Sequence, residues 1–120
     1  MSNLTTYGAN ALLNGTPLPA LYAQLHTGNP TDAGTSNLAA TSGREAITWN
    51  PATTGILTND GLLGWVGGAL ENLSHLSLWD AASGGNCWAV GALGTPQGAD
   101  VGIAVEIPDE ALTLTLARWS

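Results

Sequence analysis

The chain has 120 residues and a formal net charge of −7, and only 9% of its residues are Asp, Glu, Lys or Arg, against about 25% in an ordinary soluble domain. Lys is absent and Arg44 and Arg118 are the fixed cations, so neither a phosphate-neutralising footprint for nucleic acid nor attraction to an anionic membrane leaflet can be built. A single cysteine, Cys87, excludes an intrachain disulfide, and no apolar run reaches the roughly 18 residues of a spanning helix.

What remains is a length suited to one domain, with 44% apolar residues and five Trp, enough for a modest core under a surface of Thr, Ser, Asn, Gly and Ala. Such a surface suits contact with other protein subunits, because charged residues are depleted at the centre of those contacts. The chain is read as one domain, residues 1–120, with a helical arm over about residues 4–14. The start, Met1-Ser2-Asn3-Leu4, has neither the basic nor the apolar segment of a signal peptide, and synthesis in a cytoplasm is expected.

In chain order, Leu4 to Leu13 carries the helix signal: Thr5 or Thr6 caps it, Ala9, Ala11, Leu12 and Leu13 favour it, and Asn14-Gly15 ends it. Thr16-Pro17-Leu18-Pro19 is an extended connector, since the residue before each proline is pushed out of the helical region. Leu21, Ala23 and Leu25 then alternate with Tyr22, Gln24 and His26, the period-2 pattern of a half-buried strand that turns His26 outward. Thr27 to Gly43 is rich in Gly, Thr, Ser, Asn and Asp and reads as a long loop. Loops of that length in a small domain tend to be functional. Partner contacts are therefore placed at Thr27, Gly28, Asn29, Pro30, Thr31 and Asp32.

Arg44, a further contact candidate, opens a strand that runs to Trp49 and stops at Asn50-Pro51. Thr53 to Leu63 is a third strand, interrupted by the turn signal Asn59-Asp60-Gly61, and the Gly-rich Trp65 to Ala69 is ambiguous. Leu73–Trp79 and Cys87–Leu93 form a hairpin around Asp80 to Asn86. Asp100–Ile107 and Ala111–Trp119 supply the last strands, the latter with Leu112, Leu114 and Leu116 on one face. Trp119 falls on the opposite face beside Arg118, the composition of an interface anchor. The whole pattern, about seven or eight short strands with one short N-terminal helix, predicts a mainly β fold: an antiparallel β-sandwich, jelly-roll-like.

The chemical inventory yields no catalytic, cofactor or metal site. His26 and His75 are far apart in sequence, and one Cys with two His makes no four-ligand zinc site. Cys87 beside Trp88 in an apolar strand reads as a buried small residue. Gly64–Gly68 and Gly91–Gly98 match no phosphate loop, and Lys is missing. Asp32, Asp60, Asp80, Asp100, Asp109 and Glu110 lack calcium-loop spacing, and turn chemistry explains them as well as weak Ca²⁺ binding does. Trp49, Trp79 and Trp88 are assigned to packing rather than to stacking on sugars. A non-enzymatic protein without a small-molecule substrate is expected.

Tyr7-Gly8-Ala9-Asn10-Ala11-Leu12-Leu13 followed by Leu21-Tyr22-Ala23-Gln24-Leu25-His26-Thr27-Gly28-Asn29-Pro30 resembles the opening of a family of small bacteriophage virion proteins, common in phages of actinobacteria. Its members are described as tail-fibre-like, minor tail or capsid-accessory proteins. Arg44, Leu78-Trp79-Asp80-Ala81-Ala82-Ser83-Gly84-Gly85-Asn86, Gly91-Ala92-Leu93 and Ile107-Pro108 continue the resemblance in order. The stretch from Leu13 to Leu21 is shorter than in the family, and Ala117-Arg118-Trp119-Ser120 is extra.

The resemblance implies a β-sandwich virion subunit acting as a homotrimer; assembly in the host bacterial cytoplasm is expected, and the chain's acidity suits the outer surface of the particle, since the DNA inside would repel it. A long fibre needs a repetitive shaft and a receptor-binding tip, and 120 residues provide neither. The first expectation is therefore a decoration protein that binds the major capsid protein and stabilises the shell by mass action. The alternative is a minor tail or tail-fibre component bound to tail subunits. A carbohydrate-binding module, which would present coplanar aromatic rings in an open groove, is the third.

Overall fold

The computed structural model describes residues 2–41, 43–52 and 55–115. In chain order its elements are β1 (Ser2–Leu4), α1 (Thr6–Leu13), β2 (Tyr22–His26), β3 (Glu45–Ala46), β4 (Ile56–Thr58), β5 (Leu63–Val66), β6 (Glu71–Trp79), β7 (Cys87–Ala99), β8 (Ala104–Ile107) and β9 (Thr113–Thr115). Seven strands form one sheet in the order β3-β2-β6-β7-β1-β9-β4, and β5 and β8 pair in a second. All the pairings are antiparallel except that of β1 with β9.

The helix begins where the sequence places it. Thr5 is the N-cap, its hydroxyl oxygen accepting from the Gly8 N–H at 3.1 Å and its O–H donating to the Cys87 carbonyl at 2.7 Å. The Thr5 N–H also donates to the Trp88 carbonyl at 2.9 Å, so the cap fixes α1 to β7 as well as to itself. The helix stops at Asn14, followed by Gly15 in the left-handed region.

The long β6–β7 hairpin is the spine. Its register shifts between Leu73 and His75: Leu73 pairs with Gln97, but His75 pairs with Ala92. The residues between Ala92 and Gln97 loop out of the ladder, which is where Pro96, lacking an N–H, can sit inside a strand. The same irregularity breaks the alternation of β6, so Leu73 and Leu76, three residues apart, both face inward. Asp80 closes the hairpin by accepting from the Asn86 N–H at 2.8 Å and the Trp88 indole N–H at 3.1 Å.

The small sheet contributes two inward-facing cross-strand pairs, Leu63 with Ile107 and Trp65 with Val105. They join Leu21, Ala23, Leu25, Leu73, Leu76, Leu78, Trp88, Leu112 and Leu114 in one buried cluster. Each fully buried Leu of this cluster stabilises the fold by roughly 1.5–3 kcal/mol. Side chains of both sheets thus meet in one core, a sandwich whose strands divide seven and two.

Several predicted segments come out differently. The strand expected over Arg44 to Trp49 shrinks to Glu45–Ala46, with Trp49 making an isolated bridge to Asn59. Asn59-Asp60-Gly61 does not close a hairpin: β4 on one side pairs with β9, β5 on the other with β8. The buried Asn59 amide instead ties three turns together, donating to the Gly61 and Pro108 carbonyls and accepting from the Leu112 N–H. The ambiguous Gly-rich segment holds the end of β5, and the strand starting at Cys87 runs on to Ala99. Of the strand predicted to end at Trp119, Thr113–Thr115 is observed, with Leu112 and Leu114 inward as expected; residues 116–119 lie outside the described residues.

Candidate functional site

The loop after β2, the expected contact region, is a folded element. The Thr27 N–H donates to the Asn37 carbonyl at 2.9 Å, and the Asn37 side chain returns to the Asn29 carbonyl at 3.0 Å. At the tip, Gly34 lies against Cys87 with φ +74°, and an added Cβ would stand 2.5 Å from the Cys87 sulfur. Asp32 accepts from the N–H and hydroxyl of Thr6 at 2.8 and 3.1 Å, pinning the tip to the start of α1, where a carboxylate is favoured. Thr27, Asn29, Thr31 and Asp32 are exposed, Gly28 is half-buried, and Pro30 is buried.

Arg44 shares Trp79 with that tip, since Gly34 also lies against the Trp79 ring. Its guanidinium lies over the Trp79 ring at 4.1 Å and donates to the Ala81 and Gly84 carbonyls at 2.9 and 2.6 Å, clamping the β6–β7 turn. The structure therefore joins Asp32 to the helix and Arg44 to the hairpin. Arg118 and Trp119 lie outside the described residues.

His26 overturns one expectation. It is fully buried, where alternation alone pointed it to solvent, because the returning loop covers that face of β2. Its Nδ1 lies 2.9 Å from the Ser36 carbonyl and its Nε2 2.7 Å from the Ser77 hydroxyl, which also accepts from the Trp79 indole N–H at 2.7 Å. A hydroxyl beside an imidazole nitrogen has the spacing of a nucleophile and its base, but both side chains are sealed from solvent. The histidines that are distant in sequence prove to be direct cross-strand partners, His26 on β2 opposite His75 on β6. Burial lowers the His26 pKa below the ordinary 6.5, and His75 acts in the same direction.

The remaining chemistry is quiet. Burial pushes the Cys87 thiol up to about 11, so it is protonated at neutral pH. Trp65, Trp79 and Trp88 are buried, with Tyr7 edge-on to Trp88 at 5.6 Å, and Trp49 is half-buried. A cleft of about 400 Å³ beneath the looped-out part of β7 is lined by Leu76, Leu93, Thr95, Gln97, Glu106 and Leu112 among others. Among the described residues no three His, Cys, Asp or Glu side chains form a group able to hold a metal ion, and no helix is long and apolar enough to cross a membrane.

Apolar side chains do stand exposed, and the sequence reading missed them. Val66, Leu70, Val101 and Ile103 are 59% to 84% exposed where β5 meets β8 and β6 meets β7. The backbone holds them at one end of the molecule: the Gly67 N–H donates to the Ile103 carbonyl at 2.8 Å, and the Gly102 N–H to the Gly67 carbonyl at 2.9 Å. Leu38, also exposed, sits on the returning limb of the loop, whose Ala40 N–H donates to Glu71 on β6. Single exposed apolar residues are ordinary, whereas a contiguous group marks a contact surface. The available signal was apolar residues set among the glycines of 64–68 and 100–103, where no alternation gave them a place in the core.

A family model described as Podophage GP4 fiber I protein gp80 matches residues 3–115. No curated protein gives a significant match.

Proposed function

Since the chain belongs to the podophage GP4 fiber I protein gp80 family, we propose that it is a non-enzymatic fibre component at the tail of a podophage particle. The family match over residues 3–115 of the 120 carries this reading. Membership makes the chain a phage virion protein of the fibre kind and favours the tail-fibre alternative over the decoration of the capsid that chain length alone had suggested. A unit of this size fits as one module of a fibre, meeting its neighbours through surface contacts.

The surface supports that role. Five of its nine acids and Arg44 bond to its own backbone, its tryptophans outside residues 116–120 are at least half-buried, and the exposed Val66, Leu70, Val101 and Ile103 gather at one end. Removing apolar area from water at a contact is favourable, and the ionised neighbours of this group in sequence are Glu71 and Asp100. The partners in this reading are tail subunits and further copies of the chain, with the homotrimer read out by native mass spectrometry.

The test is immunogold labelling of purified particles together with a density map of the whole virion. Label on the tail fibres is the expected outcome. Label on the head returns the assignment to capsid decoration, and absence of the chain from purified particles overturns the virion role. A Val66→Asp/Leu70→Asp double variant that folds normally is expected to be excluded from particles.

A further inference from the structure

The returning limb of the long loop, Ser36 to Thr41, is held on the sheet by two ionisable side chains. His26 holds its beginning through the Ser36 carbonyl. Glu71 holds its end: one carboxylate oxygen accepts from the Ala40 N–H at 3.0 Å, the other from the Thr41 N–H and hydroxyl, both at 2.7 Å. Between them the limb adds the Ala39 N–H to the Leu25 carbonyl at 3.2 Å, the Asn37 carbonyl as acceptor for Thr27, and the buried Ala39 side chain.

The His26 anchor is complete for a neutral ring alone. The Ser36 carbonyl can only accept, so Nδ1 carries the hydrogen; Ser77 already accepts from Trp79, so its own O–H is directed to Nε2. A second proton on Nε2 would reverse that bond and strand the Ser77 hydroxyl hydrogen in the interior, an unsatisfied buried donor beside a buried charge. No acid faces the ring to compensate. From β6 the facing groups are His75 and Ser77; from the loop they are the Ser36 and Asn37 backbone. Glu45 on β3 pairs with Ala23, further up β2, and is exposed, while Asp32 and Glu71 are occupied at Thr6 and at Ala40 and Thr41.

We propose that the Ser36–Thr41 limb is an acid-released flap: protonation of His26 frees its first half, protonation of Glu71 its second, and the β-sheet core remains folded beneath it. His26 acts first. The undocked ring takes up a proton near the ordinary 6.5 and the docked ring only at lower pH, so docking is fully supported above 6.5 and weakens as pH falls below it. Glu71 follows in the acid range. Burial opposes its charge, but the bonds from Thr41 and Ala40 outweigh this and hold the carboxyl below its ordinary 4.5, so its support is lost as pH falls through the docked value. Release would move Leu38 at the apolar end, making that surface sensitive to pH.

The test is amide hydrogen exchange by NMR on the whole chain at about pH 7.5 and about pH 5, corrected for intrinsic rates, with the His26 ring titrated in parallel. The Thr27 and Ala39 amides are expected to lose at least about tenfold in protection, with the midpoint of the His26 ring titration, while β6–β7 amides stay protected. Unchanged protection while His26 titrates would falsify the flap, and equal loss across β6–β7 would show global unfolding instead. His75→Asn separates the two rings: the transition persists if His26 drives it, and its disappearance overturns the assignment.

Discussion

Replacing Gly8 by Ala sets two rules against each other and has a definite sign. Inside a helix, Gly to Ala normally stabilises by about 1 kcal/mol. Gly8 is the residue α1 buries, and an added Cβ there would press into the Trp88 carbonyl oxygen, with the Trp88 carbonyl carbon at 3.1 Å and Cα at 3.2 Å behind it. These are backbone atoms of β7, so relief requires moving the helix off the sheet rather than turning a side chain. Overpacking of this kind costs about 1–3 kcal/mol. The displaced carbonyl is also the acceptor for the Thr5 N–H at 2.9 Å, and losing that bond costs about 1 kcal/mol more. The net expectation is destabilisation by about 2 kcal/mol, a fall in Tm of about 8 °C for a domain of this size. Thermal and urea unfolding followed by tryptophan fluorescence would measure it. Asn10→Ala, at an exposed position of the same helix, is the control and is expected to raise stability by about 0.5 kcal/mol. A Gly8→Ala chain as stable as the parent, or more so, would refute the close helix–sheet contact.

Glu71→Gln is expected to lose about 1 kcal/mol at neutral pH, a figure already reduced for solvent screening. Because the carboxyl is held below its ordinary 4.5, the gap between parent and variant should be full above that pH and close as the solution is acidified through the folded value; a gap independent of pH counts against the anchor. Arg44→Met removes the donors to Ala81 and Gly84 and the stacking on Trp79. A loss of about 1–2 kcal/mol is expected, with faster proteolytic nicking in the 81–86 turn, and unaltered nicking would exclude the clamp. Cys87, buried with its thiol pushed up to about 11, should react with a thiol reagent at about pH 8 on the order of a hundredfold more slowly in the folded protein than in urea, and comparable rates would contradict its burial.

What the sequence discloses is the fold's local grammar. Leu21, Ala23 and Leu25 alternate and are fully buried, and Leu112 and Leu114 do the same, because each of those segments packs one face on the shared core. The cap at Thr5 and the stop at Asn14-Gly15 were readable because capping is chemistry within one turn. Long-range facts were not. β1 is three residues whose partners are β7 and β9, from the far half of the chain, and nothing in Ser2-Asn3-Leu4 announces a strand. Period 2 told that His26 and Leu25 face opposite ways, but could not tell that the Ser36–Leu38 segment returns to cover the His26 side. The segment after β2 was recognised as a loop; its anchors at Thr6, Cys87 and Glu71 depend on residues that only folding brings near.

The scarcity of charge acquires a structural meaning once the acids are followed to their partners. Asp32 receives the Thr6 N–H, Glu71 those of Ala40 and Thr41, Asp80 that of Asn86, Asp100 that of Val101 and Asp109 that of Gly61. Arg44 gives its hydrogens to two turn carbonyls. Ionised groups here satisfy the backbone of loops, where charge-assisted bonds are strongest and an unpaired peptide group is costly. This is turn chemistry at the positions where the sequence also allowed weak calcium binding, and it accounts for Asp32, Asp80 and Asp100 without a cation. These bonds leave the carboxylates charged and most of them exposed, so the chain keeps a negative field, and Leu38, Val66, Leu70, Val101 and Ile103 are among the exposed apolar side chains that short-range burial can use. Apolar burial of that kind tolerates salt, whereas any steering by the negative field weakens as salt rises.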